Sequence, residues 1–155
     1  MFSETSTGTC CRPLCTAMVR PTISGSTITE NTASRGYGGG IYMDGVDQSF
    51  AICGSVVSGN TANALGGGVF RVSNNGVGPM TIDQTTVANN VVTTVGSYSQ
   101  AGGLYLQGLQ IEITDTTVSG NIADSSGGLF VWENPGVTSL NMTNVTIAGN
   151  HTRES

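Results

Sequence analysis

The sequence predicts an all-β protein, a right-handed, single-stranded parallel β-helix built as a solenoid of coils of about 30 residues. Three observations predict this fold class. Two separate columns of residues recur at the same intervals, and short β-branched and aromatic runs alternate with Gly, Asn, Asp and Ser. No window carries the i, i+3, i+4, i+7 apolar pattern of a helix for longer than about one turn. Such a unit closes a hydrophobic core only when it is stacked on its neighbours.

The first repeating column consists of the asparagines at the fourth position of a recurring aliphatic-x-x-Asn element. Its members are Asn31, Asn60, Asn90, Asn121 and Asn150, at intervals of 29, 30, 31 and 29 residues. An aliphatic column eight positions earlier keeps the same intervals and consists of Ile23, Ile52, Ile82, Ile113 and Met142. We expect the asparagines to take left-handed backbone angles at a corner and to form a structural ladder of side-chain amides.

Each unit contains three extended runs. The first, as in "ISGSTI", holds a small turn between two apolar anchors; the second follows the glycines, as in "IYM"; the third, as in "SFAI", leads into the next unit. Matching runs of successive coils are expected to pair in parallel about 4.8 Å apart, and parallel crossovers are normally right-handed. The β-helix is predicted over 21–155, as about four to five coils, after an irregular cysteine-containing head over 1–20.

Two further columns follow the glycines, which are expected where a Cβ would clash or where φ is positive. Neighbouring strand residues face opposite sides, so one column is placed inside and the other outside. The inner, aliphatic column is Ile41, Val69, Leu104 and Leu129, and the outer, aromatic column is Tyr42, Phe70, Tyr105 and Phe130. The aromatic residues are interpreted either as a stabilising stack covered by a loop or neighbour, or as an exposed platform for sugar rings or a partner protein.

Trp132 is the only tryptophan and is placed in a loop after the second strand of its unit. It is interpreted as a seal on a core edge or, alternatively, as a sugar contact. The longest insertion, "VVTTVGSYSQ" at 91–100, falls between an asparagine and the next glycines. Insertions in solenoids map to loops and often to binding faces, so a partner is expected to bind there.

Composition and charge exclude several classes of partner. The net charge is −5 and the chain has no Lys, which argues against nucleic acid, because that partner needs a basic stripe. No run of about 18 apolar residues exists, so no membrane span is predicted in this chain. The opening residues lack the pattern of a secretory signal. Because exposed coil ends are aggregation-prone edges, we expect the chain to be a fragment of a longer solenoid, or a protein whose end stacks on another copy. No cofactor is predicted.

The cysteines are concentrated in the head. Cys10, Cys11 and Cys15 lie there, and Cys53 lies in the repeat. The segment "CCRPLC" lacks the second, spaced pair or the histidine of a zinc site. These residues are interpreted as incidental thiols or as a disulfide in an exported head.

The Gly-Gly elements ("GGGI", "GGGV", "GGLY", "GGLF") alternate with aliphatic-x-x-Asn elements ("ITEN", "VSGN", "VANN", "IAGN"). This alternation resembles the repeats of chlamydial polymorphic outer membrane proteins, and equally the β-helix repeats of large secreted and surface proteins of bacteria and some algae. The resemblance covers roughly Pro21 to Thr152, and it departs from the family where Ile or Val replaces the usual Phe of Phe-x-x-Asn. It implies a non-catalytic, adhesive or scaffolding segment, extracellular or at the cell surface, that contacts a glycan or a host or partner protein.

The main alternative is a carbohydrate-active β-helix, such as a polysaccharide lyase or hydrolase, or its glycan-binding fragment. Such catalytic sites need clustered carboxylates with a basic side chain nearby. The best cluster is Asp83, Glu112 and Asp115, which lacks a basic partner, while Asp44 and Asp47 in "MDGVD" are weak calcium candidates. Both sets are interpreted first as solvated surface carboxylates, so no metal is predicted.

Overall fold

The computed structural model describes residues 21–45, 47–96, 99–134 and 138–153. These residues form short strands joined by tight turns, with no helix among them. The strands are β1 Thr22–Ser24, β2 Thr27–Thr29, β3 Thr32–Ala33, β4 Ile41–Met43, β5 Phe50–Cys53, β6 Val56–Ser58, β7 Thr61–Ala62, β8 Val69–Val72, β9 Met80–Asp83, β10 Thr86–Ala88, β11 Val91–Val92, β12 Leu104–Gln107, β13 Gln110–Thr114, β14 Thr117–Ser119, β15 Ile122–Ala123, β16 Leu129–Trp132, β17 Ser139–Thr143, β18 Thr146–Ala148 and β19 His151–Thr152.

The strands stack into four parallel sheets that run along the solenoid. The sheet orders are β1-β5-β9-β13-β17, β2-β6-β10-β14-β18, β3-β7-β11-β15-β19 and β4-β8-β12-β16. Every strand therefore pairs with the matching strand of the next coil, as when Ile52 lies opposite both Ile23 and Ile82. The prediction of a parallel β-solenoid is confirmed, with about four coils that repeat about every 29 residues.

Each of the first four coils has four strands and the last described coil has three, whereas the sequence patterns predicted three extended runs. The run "ISGSTI" is two strands, because Gly25 between them takes a φ of 55° and turns the chain. The run "SFAI" belongs to the same strand as the apolar anchor that ends it, Ile52. The strands after the asparagines are only two residues long, which is too short for a period-two pattern to be visible in the sequence.

The hydrophobic core runs through the middle of the coils. Ile52, Ile82 and Ile113 are fully buried on the first sheet, and they face the inner aliphatic column of the fourth sheet. Burial of such side chains stabilises a fold by about 1.5–3 kcal/mol each. In the last described coil, Leu140, Met142 and Ile147 are more than a third exposed. The head at 1–20 lies outside the described residues, so the predicted domain division stays a prediction.

Candidate functional site

The asparagine ladder lies at one corner and is bonded through its whole length. The Nδ2 group of each asparagine donates to the Oδ1 atom of the next, at 3.0 Å from Asn31 to Asn60 and from Asn60 to Asn90, and at 2.9 Å from Asn90 to Asn121 and from Asn121 to Asn150. The backbone N–H of each residue donates to the same Oδ1 atom, as from Asn60 to Asn90 at 3.0 Å. The expected ladder is therefore present, and its three central members are fully buried.

The expected backbone conformation of the ladder was wrong. Left-handed φ values occur one residue earlier, at Glu30, Gly59, Asn89, Gly120 and Gly149. That residue turns the corner, and the turn aims the following asparagine inward. Asparagine is required in the ladder because its amide both donates and accepts, which satisfies buried backbone groups.

The glycine pairs and the asparagines are structurally coupled. A Cβ atom at Gly68 would lie 2.9 Å from Nδ2 of Asn90, and one at Gly103 would lie 3.0 Å from Nδ2 of Asn121. The ladder of one coil therefore occupies the space that a side chain would need at the second glycine of the preceding coil. This contact explains why the Gly-Gly and aliphatic-x-x-Asn elements recur together.

The outer aromatic column forms a continuous stack, which we call the aromatic ladder. Tyr42 and Phe70 have ring centroids 5.4 Å apart at an interplanar angle of 7°. Phe70 and Tyr105 are 5.1 Å apart at 18°, and Tyr105 and Phe130 are 5.2 Å apart at 20°. The parallel register places these rings opposite one another, and stacked pairs contribute about 0.5–1.5 kcal/mol beyond burial.

The centre of the aromatic ladder is covered and its ends are open. Phe70 and Tyr105 are only 4% and 6% exposed, in a cluster with Ala101, and burial raises the pKa of the Tyr105 hydroxyl. Tyr42 is 56% exposed and Trp132 is 50% exposed. Binding by the aromatic ladder without rearrangement is therefore restricted to its exposed members.

Trp132 lies on a strand, as the last residue of β16, so its placement in a loop was wrong. Its ring is tilted by 51° against Phe130, with the centroids 6.3 Å apart. Because half of the side chain is exposed, Trp132 extends the aromatic ladder sideways and does not seal a core edge.

A pocket of about 670 Å³ opens beside the N-terminal end of the aromatic ladder. We call it the tyrosine pocket, and it is lined by Arg35, Gly36, Tyr37, Tyr42, Asn63, Ala64 and Thr94. The ring of Tyr37 packs on Phe70 with centroids 4.9 Å apart. Tyr42 donates a hydrogen bond of 3.0 Å to Asp44, which raises the pKa of the Tyr42 hydroxyl.

Sequence reasoning missed Arg35 and Tyr37 because only one unit carries them. Column matching finds residues that repeat in every coil, and the segment "SRGYGGG" has no counterpart in the other units. The signal that could have revealed them is an arginine and a tyrosine just before the glycines of this one unit.

The described part of the insertion, 91–96 and 99–100, is held against the next coils, and Thr94 places it in the wall of the tyrosine pocket. Arg153 pairs with Asp124 at 2.6 Å and donates to the carbonyl oxygen of Thr94 at 2.8 Å. The backbone N–H of Gly96 donates to Asp124 at 2.7 Å and is the main cause of that carboxyl's lowered pKa. These contacts fix the described part of the insertion on the solenoid.

Two of the three carboxylates named for the enzyme alternative accept hydrogen bonds from side chains of the next coil. Asp83 is buried and accepts a hydrogen bond from Thr114 at 2.9 Å. Asp115 occupies a left-handed corner with a φ of 46° and accepts from Asn144. Glu112 lies on β13, opposite the uncharged residues Thr81 and Asn141. Among the described residues none of these three carboxylates forms an ion pair.

The two calcium candidates accept hydrogen bonds from different side chains. Asp44 accepts from Tyr42, whereas Asp47 accepts from Ser73 and Asn75, and the bond from Ser73 is the main cause of the lowered pKa of Asp47. Within 21–45, 47–96, 99–134 and 138–153, no three His, Cys, Asp or Glu side chains are grouped to hold a metal ion.

Arg71 is an unexpected member of the core. It lies between Met43 and Leu106 in the register of the fourth sheet and is fully buried. One guanidinium nitrogen, Nη2, donates to the carbonyl oxygen of Gln48 at 3.1 Å, while Nε and Nη1 have no hydrogen-bond partner among the described residues. Burial lowers the pKa of Arg71.

Cys53 is disulfide-bonded. It ends β5, next to the buried Ile52, and is itself buried. The other three cysteines of the chain, Cys10, Cys11 and Cys15, lie outside the described residues. Disulfides persist in oxidising compartments and are rare in reducing ones.

Comparison of the chain with protein-family models, curated proteins and solved structures found no match. Among the residues that the structure describes there is no long apolar helix of the kind that crosses a membrane.

Proposed function

We propose that the chain is a non-catalytic structural or adhesive β-helix segment of a secreted or cell-surface protein, of the polymorphic outer membrane protein repeat type. Its role is to hold an outer contact face in a fixed geometry. The observation that carries this proposal is the aromatic ladder, in which the two middle rings are covered while Tyr42 and Trp132 expose half or more of their surface.

Two further features support the proposal. Exposed aromatic side chains on a rigid scaffold supply large contact areas at a low entropic cost. The disulfide at Cys53 fits an extracellular location, because the oxidised state persists outside the reducing cytosol.

Direct binding distinguishes adhesion from the carbohydrate-active alternative. The purified chain is passed over immobilised neutral glycans, acidic glycans and extracellular proteins, and the same glycans are assayed for newly formed reducing ends. We expect binding to at least one surface without cleavage, and at least a ten-fold loss of affinity in the double variant Tyr42→Ala/Trp132→Ala.

The control is Val56→Ala, which truncates another exposed apolar side chain on β6 of the second sheet, whereas the aromatic ladder lies on the fourth sheet. Release of reducing ends that disappears in Glu112→Gln contradicts the proposal and establishes the alternative. Binding that is unchanged in the double variant contradicts the role of the aromatic ladder.

A further inference from the structure

The outer face of the first sheet is covered at two of its strands, β5 and β9. Ile52 and Ile82 on these strands point into the core and are fully buried. Because side chains alternate between the two faces of a strand, the residues beside them point outward: Cys53, Thr81 and Asp83. These three are nevertheless buried, with exposed fractions of 8%, 4% and 8%.

Flanking strands alone do not bury an outward residue in this solenoid. On β6, β10 and β14, the interior strands of the second sheet, every outward residue is half-buried or exposed. The outward residues Glu112 and Thr114 of β13, on the first sheet itself, are also only half-buried. Thr81 lies between strands in the same way, opposite Ala51 and Glu112. A further part of the protein is therefore needed over β5 and β9.

The other described strands do not supply this cover. β5 and β9 pack chiefly on the neighbouring strands of their own sheet, and Cys53 belongs to none of the hydrophobic clusters formed by the described residues. Cys53 is also disulfide-bonded. The chain has only three further cysteines, and all are in the head: Cys10, Cys11 and Cys15. A disulfide within the chain would therefore tie the head to this face.

The chain is long enough for this connection. The carbonyl oxygen of Pro21 accepts from the backbone N–H of Ala51 at 3.1 Å, so the residue that follows the head lies beside β5. Cys53 is two residues further on, or about 7 Å along the strand. The six steps from Cys15 to Pro21 span up to about 20 Å, which is more than enough to bring Cys15 within the Cα separation of about 4–7 Å that a disulfide requires.

The head and this face also carry opposite charges. The head contains two arginines and one acidic residue, Glu4. The outer face of the first sheet carries Asp83 and Glu112, and neither forms an ion pair among the described residues. Opposite net charges favour association of the two surfaces.

We propose that Cys53 is joined by a disulfide to one of the three cysteines of the head, and that the head docks on the outer face of β5 and β9, over Thr81 and Asp83. Forming this bond releases two protons and passes two electrons to a disulfide oxidant, and a dithiol reductant reverses it. The aromatic ladder lies on the fourth sheet, so the docked head and the proposed adhesive function are independent of each other.

Peptide mapping of the full chain tests the covalent link. Trypsin cleaves after arginine except before proline, the chain has no Lys, and both arginines of the head precede proline. After free thiols are alkylated, digestion of the unreduced chain should give fragments 1–35 and 36–71 as one linked species that separates on reduction. Single replacements of Cys10, Cys11 and Cys15 by Ser identify the partner. Recovery of 36–71 with an alkylated Cys53, or linked to a second copy of itself, would overturn the inference.

The rate at which a phosphine reduces this disulfide tests the docking. The phosphine takes the oxygen of one water as its oxide, while the S–S bond breaks and both sulfurs become thiols. Thr81→Arg places a long cation beneath the head and should speed reduction at least about ten-fold, because the rate depends on access to the sulfurs. Thr143→Arg changes the same residue type on the exposed strand β17 of the same sheet, and it should react as the wild type does.

Equal reduction rates in the wild type and in both variants would show that the head is tethered without being docked, which overturns the docking surface. Circular dichroism checks that each variant is folded. The mapping experiment uses the wild-type chain alone, so it decides the covalent part of the inference even if Thr81→Arg fails to fold.

Discussion

Replacing Asn90 by Ala removes four hydrogen bonds from the centre of the asparagine ladder. The Nδ2 group of Asn90 donates to Asn121 at 2.9 Å and to the carbonyl oxygen of Val57 at 3.0 Å. Its Oδ1 atom accepts from the backbone N–H and from the Nδ2 group of Asn60, both at 3.0 Å. Asn60 and Asn90 are fully buried, so water does not replace the lost partners.

The expected loss of stability follows from these contacts. A hydrogen bond contributes about 1 kcal/mol net, so four bonds give about 4 kcal/mol. Since domains of this size are stable by about 5–15 kcal/mol, Asn90→Ala should lose a large share of its free energy of unfolding. Urea denaturation followed by circular dichroism measures the loss.

The matched control is Asn31→Ala at the exposed end of the same ladder. The Nδ2 group of Asn31 donates to Thr29 at 3.1 Å and to Asn60 at 3.0 Å, and the side chain is exposed. Water replaces both bonds, so we expect a loss of less than about 1 kcal/mol. Equal losses in Asn31→Ala and Asn90→Ala, or a loss below about 1 kcal/mol in the latter, would refute the reasoning.

Three further changes have expected outcomes. Arg71→Leu should raise the free energy of unfolding by about 1–3 kcal/mol, because it replaces a buried cation with leucine, the residue that stands opposite it at Leu106 on the neighbouring strand. A lower midpoint in urea than that of the wild type would contradict this expectation. Gln84→Gly should stabilise the chain by about 1 kcal/mol, because Gln84 has a φ of 48° where Gly54 stands in the preceding coil. The reverse change, Gly54→Gln, should destabilise it by a similar amount, since a Cβ at Gly54 meets no atom of the described residues within 4 Å and the cost is that of the positive φ alone. Cys53→Ser should cost about 2–4 kcal/mol under non-reducing conditions, because the disulfide restricts the unfolded chain; a melting temperature equal to that of the wild type would exclude this contribution.

The fold was predictable because every coil packs on its neighbours in the same way. Parallel stacking places like residues opposite one another, so the columns of Asn60 and Ile52 are visible as matching intervals in the sequence. The number of strands was not predictable, because the corner at Gly25 divides one apolar run into two strands. The left-handed residue before each asparagine was missed because it is glycine at only three of the five corners, while Glu30 and Asn89 stand at the other two.

The candidate site was only partly predictable. The aromatic ladder follows from its register, and the sequence places Tyr42 and Phe70 in one column. The tyrosine pocket depends on Arg35 and Tyr37, which occur once, and on the insertion that brings Thr94 beside them. Repeats identify what all coils share, whereas ligand sites arise where one coil departs from the rest.

Scalar couplings across the side-chain hydrogen bonds of the asparagine ladder test the stacked arrangement most directly. A long-range HNCO experiment on labelled protein detects an Nδ2–H group and the carbonyl carbon to which it is bonded. The structure predicts cross-peaks from Asn60 to Asn90 and from Asn90 to Asn121, across 30 and 31 residues of sequence. Rapid solvent exchange of these amides, with no coupling between the three asparagines, would contradict the account.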